Sequence, residues 1–472
     1  MLFSPKTGNG GVAEMLSIAL PMIVSTSCDG IMTFTDRLFL SRLGPEQMNA
    51  AMGGGVAMQM MMFFFIGLTG YTTALVAQYF GARQKRMTAV AAFQAMLIAF
   101  FAYPVILICK PLGLAFFDFM QIPEGQIGFQ KAYYNIVIYG VVIGILRNVL
   151  SCYFSGLGKT RIVMVASLTA MTVNVFLDYI LIFGKFGFPA MGIEGAAIAT
   201  IIGGFCGLVL LTAVYFGKPN RDEFHVLDSF RFDWKVMRKL LHFGYPAGLE
   251  LFLNFLAFTT MIFIFHSHGP VSATASTIMF NWDLVSFIPL LGIEIAVTSL
   301  VGRYMGAGQL ETAHHAAMSG IRTGIYYSLV ILILFLLVPE YLVKIFHPST
   351  ESALFVQVVP VATSMIRIAA MYVLAEAVMV AIVGALRGAG DTHFTMIISV
   401  TAHWSFVPLL YFMLRVWNMT PVAAWFGLVI MFLIFCGVLI LRYRSGKWQK
   451  IRVVGSEERV GSKEKRRMGD RE

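Results

Sequence analysis

Six carboxylates interrupt otherwise apolar stretches of this 472-residue chain: Asp36, Asp178, Glu250, Asp283, Glu294 and Glu376. A charge inside a bilayer is costly, so such residues generally face a cavity and serve ions, protons or a substrate. Two amides join them. Asn174 lies one helical turn before Asp178, and Asn254 one turn after Glu250, so each pair projects from one helix face. Structural readings compete with the chemical one. Asp36, followed by Arg37, would sit among lipid headgroups; Asp178 would bond a neighbouring helix; Asp283 and Glu294 would pair with Arg303 or Arg322. Glu376 stands midway along a long apolar run, where a functional acid is expected. Together the acids point to a translocation pathway.

The elements that must hold them are membrane helices. The chain is 58% hydrophobic and 13% charged, with a mean hydropathy of +0.76. Apolar stretches of about 20 residues, enough to cross a bilayer as helix, recur throughout. They predict spans near 14–35, 50–78, 89–109, 130–152, 161–183, 192–216, 240–265, 273–301, 315–338, 353–384, 394–415 and 420–442. The fold class is therefore an all-α integral membrane protein of twelve transmembrane helices.

The chain is built twice. Residues 21–82 recur at 246–307 with no insertion or deletion, a constant offset of 225 that places Pro21 on Pro246, Gly67 on Gly292 and Gly81 on Gly306. A later pair, Ser155-Gly-Leu-Gly-Lys-Thr160 and Arg387-Gly-Ala-Gly-Asp-Thr392, matches at offset 232. Such repeats are typical of secondary transporters, and six spans per copy give both copies one orientation, related by an axis along the membrane normal. The acids do not repeat. Asp36 falls on Met261, Glu250 on Ser25 and Glu376 on Gly144. Two pseudo-symmetric six-helix lobes follow, an N-lobe over 14–216 and a C-lobe over 240–442, joined by a linker at 217–239.

Basic residues set the orientation. Arg83, Lys85, Arg86, Lys159, Arg161 and the linker's Lys218, Arg221, Arg231, Lys235, Arg238 and Lys239 fall in loops of one side, with eleven more between Arg442 and Arg471. By the positive-inside rule, residues 1–13, the linker and the tail 443–472 are cytoplasmic, in a cell (inner or plasma) membrane. The tail, charged and Gly/Ser-containing, is expected to be disordered. The net charge of +10 thus reports topology and anionic headgroups, and no nucleic-acid partner is expected. The first apolar run is long enough to span, so it reads as an uncleaved helix.

Other motifs carry no chemistry. Gly158-Lys159-Thr160 imitates the end of a phosphate-binding loop, but that loop needs a glycine where Tyr153 stands. His266-x-His268 lacks an acid or cysteine at a useful spacing for a metal, and none is expected. The five cysteines have no paired spacing. A subset of the 29 Met and 41 Phe would line an adaptable apolar cavity.

The chain resembles the multidrug and toxic compound extrusion (MATE) family over nearly its whole length. The resemblance rests on Ala19-Leu-Pro21 with Asp36; Val76-Ala-Gln-Tyr-Phe-Gly-Ala82; Asn174-Val-Phe-Leu-Asp178; Met191-Gly-Ile-Glu-Gly-Ala-Ala-Ile-Ala-Thr200; Phe243-Gly-Tyr-Pro246; and Leu386-Arg-Gly-Ala-Gly-Asp-Thr392. It implies two lobes around a V-shaped central cavity, and export of varied, often cationic, compounds in exchange for H⁺ or Na⁺. It also implies an N-lobe cation site of Asp36, Asn174, Asp178 and Thr200, with Pro21 letting the first helix bend. Carboxylate, amide and hydroxyl oxygens suit a hard cation, and a desolvated carboxyl suits a proton. In the C-lobe some members carry a Glu where this chain has Asn254, one turn after Glu250, and Glu376 aligns with an acid of the tenth helix. A C-lobe site for substrate or cation would therefore draw on Glu250, Asn254, Asp283 and Glu376.

The expected activity is alternating-access antiport by a monomer, with a small-molecule substrate, membrane lipids as partners, and no cofactor besides the coupling ion. Two rivals differ in class. A flippase for lipid-linked oligosaccharide needs a basic cavity, for which only Arg147 and Arg367 lie deep in apolar spans; a membrane-embedded transferase needs clustered His or Asp at one face.

Overall fold

Among the described residues of this computed structural model, which are 10–119, 122–347 and 353–454, twelve helices are long and apolar enough to cross a membrane. They are α1 (Val12–Ser41), α2 (Glu46–Gly81), α3 (Lys85–Asp118), α4 (Glu124–Gly156), α5 (Thr160–Phe183), α6 (Gly192–Phe216), α7 (Trp234–Ser267), α8 (Pro270–Ala307), α9 (Leu310–Leu337), α10 (Leu354–Ala389), α11 (Thr392–Val416) and α12 (Pro421–Arg444). Several exceed the roughly 20 residues a bilayer requires, so their ends stand clear of the apolar layer. Pro21 and Pro246, repeat counterparts, lie inside α1 and α7. Each removes one backbone hydrogen bond and permits a bend there. With an even number of crossings, the start of α1 and the end of α12 share one side, here called the terminus side.

The lobes meet where α1 packs on α8 and α2 packs on α7 and α8. Their cores interpenetrate. Met15, Ile18 and Ala19 of α1 are buried in the C-lobe core with Leu290, Ala296 and Leu300, while Val236, Met237 and Leu240 of α7 are buried in the N-lobe core. The first helix of each lobe thus roots its terminus-side half in the other lobe.

Glycines make this seam close. A Cβ on Gly81 would stand 1.8 Å from the Arg303 carbonyl oxygen, and one on Gly306 would stand 2.0 Å from that of Gln78. Gly81 and Gly306 are repeat counterparts, as are Gln78 and Arg303. Each helix therefore sets its glycine against the same backbone position of the other. Deeper in the bilayer, Gly67 faces the Ala247 carbonyl and Gly292 faces the Ile23 amide, each at 2.6 Å from its would-be Cβ, so that the counterpart peptide groups 247–248 and 22–23 are the ones approached.

Side chains repeat the pattern with altered charge. Tyr304 Oη donates to Glu14 Oε2 at 2.7 Å, and Lys239 Nζ donates to Tyr79 Oη at 3.3 Å. Gln78 Nε2 donates to the Gly388 carbonyl of α10 at 2.8 Å, and Arg303 Nη2 to the Leu157 carbonyl just past α4 at 3.1 Å. Arg303 also lies 3.5 Å from Glu14. Interlobe hydrogen bonds reach inward as far as Thr26, which donates to the Ile288 carbonyl at 3.4 Å.

Two segments are more ordered than their composition implies. The linker holds a short helix, Lys218–Phe224, with Phe224 and Val226 buried, and its last residues already belong to α7, capped by Asp233. The tail, expected to be disordered from 443, is packed as far as Val454. Trp448 is buried and donates to the Tyr443 carbonyl at 3.0 Å, and Val453 and Val454 join the N-lobe core. One indole and two valines supply apolar surface that the surrounding charge hides. The rest of the tail, 455–472, and residues 1–9 lie outside the described residues.

Candidate functional site

Asp36 lies about one and a half turns before the end of α1, on the half far from the termini. It faces α5, where Asn174 and Asp178 share one side, and α6, which brings Thr200. The headgroup reading of Asp36 does not hold: it is 8% exposed, and Asn174 and Asp178 are both 0% exposed. Asp36, Asn174 and Asp178 stand close enough to interact electrostatically, although no hydrogen bond links the three. Gly203 of α6 lets that helix close on Asn174, since a Cβ there would lie 2.8 Å from Asn174 Cβ.

The cluster is short of hydrogen bonds. Asp36 Oδ1, both Asp178 oxygens, and both polar atoms of the Asn174 amide are buried without a hydrogen-bond partner. Leaving buried polar groups unpaired costs about 1–3 kcal/mol each, more for charged ones. Thr200 Oγ1 is 3.2 Å from Asp36 Oδ2 and 2.9 Å from the Ala196 carbonyl. A hydroxyl has one hydrogen, so it cannot fully satisfy both oxygens. Two buried carboxylates therefore face each other with a single hydroxyl bonded to one of them. Tyr133 of α4, buried and within electrostatic range of both acids, completes the wall.

The C-lobe acids divide into two groups. Glu250 on α7 pairs with Arg387 Nη2 of α10 at 3.1 Å, and Arg387 Nη1 also bonds Glu294 of α8. Asn254, one turn beyond Glu250, instead donates to Ser399 Oγ of α11 at 2.7 Å. Further from the termini, the Tyr372 hydroxyl donates to Asp283, and Glu376 stands one turn further along α10, within electrostatic range of Asp283. Glu376 Oε2 is buried and unpartnered. Glu294 is paired as the sequence implied, but by Arg387; Arg303 is engaged at the seam, and Asp283 is held by a tyrosine.

Comparison with known proteins fixes the family. The sequence profile of the family described as MatE matches residues 21–180 and 246–412, two segments that begin at the repeat-related prolines. The chain belongs to the MATE family of transporters. Its curated relatives include a probable multidrug resistance protein NorM of Thermotoga maritima, 28% identical over 453 residues and covering 95% of each chain. Another is the multidrug resistance protein PmpM of Pseudomonas aeruginosa, 28% identical over 88% of each chain. The fold is similar to a MOP superfamily transporter from Pyrococcus furiosus, with a TM-score of 0.84 at 20% identity over 94% of this chain and 96% of that one. It is also similar to a MATE transporter of the MOP superfamily solved in an outward-facing conformation, with a TM-score of 0.83 at 20% identity over the same shares. This MATE protein is accordingly a multi-pass membrane transporter.

Within the MATE fold, sequence reasoning passed over Tyr133, Tyr372 and Arg387 as site residues. A tyrosine on an apolar helix looks like packing, and Arg387 near a helix end looks like an interfacial anchor. The usable signal was Tyr372 and Glu376, one turn apart on α10. Arg147, counted toward a basic cavity, is paired with Asp29 at 2.8 Å.

Proposed function

We propose that this protein exports amphiphilic, cationic small molecules in exchange for H⁺ or Na⁺ by alternating access. The observation that carries the reading is the poorly hydrogen-bonded cluster of Asp36, Asn174 and Asp178, buried in a bilayer-spanning lobe. A proton shared between the two carboxylates, or a Na⁺ held by carboxylate, amide and Thr200 hydroxyl oxygens, supplies the missing positive charge. Relatives named for multidrug resistance support the substrate class.

The basic residues of the terminus side, including Lys85, Arg86, Lys159 and the linker cations, support placing both termini in the cytoplasm. On that reading the glycine-packed seam closes the cytoplasmic face, and the cleft between the lobes opens outward. Substrate then occupies the cleft when the seam is parted. An external ion loads the N-lobe site, α1 adjusts at Pro21, and substrate affinity falls on the outer side. The ion drives this only through unequal affinity for the two states. One charge moved across 100 mV supplies about 2.3 kcal/mol.

The test is gradient-driven transport of a fluorescent organic cation in proteoliposomes, with ΔpH and ΔNa⁺ imposed separately, for wild type and Asp36→Asn. Loss of gradient response in the variant, with cation binding retained, is the expected result. Unaltered gradient-driven export would overturn the coupling role, and the gradient that drives wild type identifies the ion. The oligosaccharide-flippase alternative gains no support, since Arg147, one of the two arginines deep in apolar spans, is paired with Asp29.

A further inference from the structure

The linker reading leaves unexplained a stripe of cations at the start of α7. Lys235, Arg238, Lys239 and His242 follow one another at spacings of three, one and three, so they form one face of the first two turns. With Phe243 they line a pocket of about 340 Å³, toward the small end of the roughly 300–1,000 Å³ typical of small-molecule sites. The nearby acids are committed elsewhere. Asp233 caps the helix by accepting from the Val236 amide at 3.1 Å, and Asp391 holds Arg442 through two bonds of 2.8 and 3.0 Å. Among the described residues, Lys235 and Arg238 have no acidic partner. His242 packs against His393 of α11, ring centroids 4.9 Å apart.

The surroundings match the level of lipid headgroups. Phe232 and Trp234, each 61% exposed, stand just before the stripe on the aqueous side, and Leu241 and Tyr245 are exposed just after it toward the bilayer. Interfacial aromatics followed by cations and then apolar surface is the order in which a phospholipid presents water, phosphate and acyl chain. The stripe also belongs to one lobe alone. At offset 225 its counterparts are Gly10, Ala13, Glu14 and Ser17, none of them basic.

We propose that this pocket binds the phosphate headgroup of an anionic phospholipid, with Lys235, Arg238 and His242 as its ligands and the acyl chains lying over Leu241 and Tyr245. Lys239 lies on the same stripe but also holds Tyr79 across the seam, which places the lipid against an interlobe contact.

The test is native mass spectrometry of the full chain with phosphatidylglycerol and phosphatidylcholine mixed, comparing wild type with the triple variant Lys235→Gln, Arg238→Gln, His242→Gln, which leaves Lys239 in place. Retention of phosphatidylglycerol should fall about tenfold to thirtyfold in the variant, from the removal of two full charges, with phosphatidylcholine unchanged. The charge-keeping pair Lys235→Arg, Arg238→Lys should retain it. Equal phosphatidylglycerol retention by wild type and triple variant would overturn the proposal, as would an equal loss of both lipids. Displacement of the lipid by millimolar inorganic phosphate would overturn the lipid source in favour of a free anion. A wild-type measurement guards against a variant that fails to fold.

Discussion

The two lobes descend from one sequence, yet they treat buried acids in opposite ways. In the N-lobe, Asp36 and Asp178 face each other across α1 and α5, with a single hydroxyl, that of Thr200, reaching Asp36, no hydrogen bond to Asp178, and no described cation bonded to either. In the C-lobe, Arg387 stands between Glu250 and Glu294, and Tyr372 donates to Asp283. The first arrangement is incomplete without a ligand. The second is partly completed from within by ion pairs and a tyrosine, although Glu250 Oε2, Asn254 Oδ1, Arg387 Nε and Glu376 Oε2 accept or donate no hydrogen bond. Duplication supplied the scaffold, and divergence at positions such as 36/261 and 144/376 placed the open site in one copy.

The largest expected effect would break this contrast from the C-lobe side. Arg387→Met strands two buried carboxylates, and removing one partner of a buried ion pair costs about 3–5 kcal/mol. Thermal unfolding in detergent should show a marked fall in Tm for Arg387→Met. Asp178→Asn, which removes an unpaired charge, should leave the ion-free Tm unchanged or raise it. A similar fall in both would mean that the N-lobe cluster is also an internally satisfied element.

Next comes coupling. Coupling free energies of about 1–3 kcal/mol correspond to roughly 5–150-fold, and Asp36→Asn should lose on the order of a hundredfold in gradient-driven export. Glu250→Gln should lose far less in the same assay. Equal losses would move the ion site out of the N-lobe. Tyr372→Phe sharpens the view of the C-lobe: Asp283 loses its donor, at about 1–3 kcal/mol, read as a lowered unfolding midpoint. Smallest is Thr200→Ser, which keeps the hydroxyl and should change ion dependence less than threefold, whereas Thr200→Val should weaken it several-fold, consistent with about 0.5–1.5 kcal/mol for one hydrogen bond.

Much of this architecture is legible in the sequence. Apolar run length sets the helices, and a constant offset sets the pseudo-symmetry, because both are properties of spacing along the chain. Asn174 and Asp178 could be assigned to one face because helical periodicity is local. Partners were harder. Glu294 had several arginines within plausible reach, and only packing of α8 on α10 selects Arg387. Tyr133 gives no signal apart from being aromatic. The exchange of α1 and α7 between cores was equally hidden, since an apolar helix face does not name its neighbour. In the tail, charge density around Trp448 masked a short apolar anchor.

The matched glycines of the seam have a consequence for cooperativity. Gly81 rests on residue 303 and Gly306 on residue 78, each three positions before the other glycine on the same two helices. Neither contact can be lost while the other stays, because one separation of α2 from α8 breaks both. A closure built this way has no half-open form. The terminus-side end should therefore part in a single two-state step, and a bulky residue at either glycine should bias that whole equilibrium rather than loosen one edge of it.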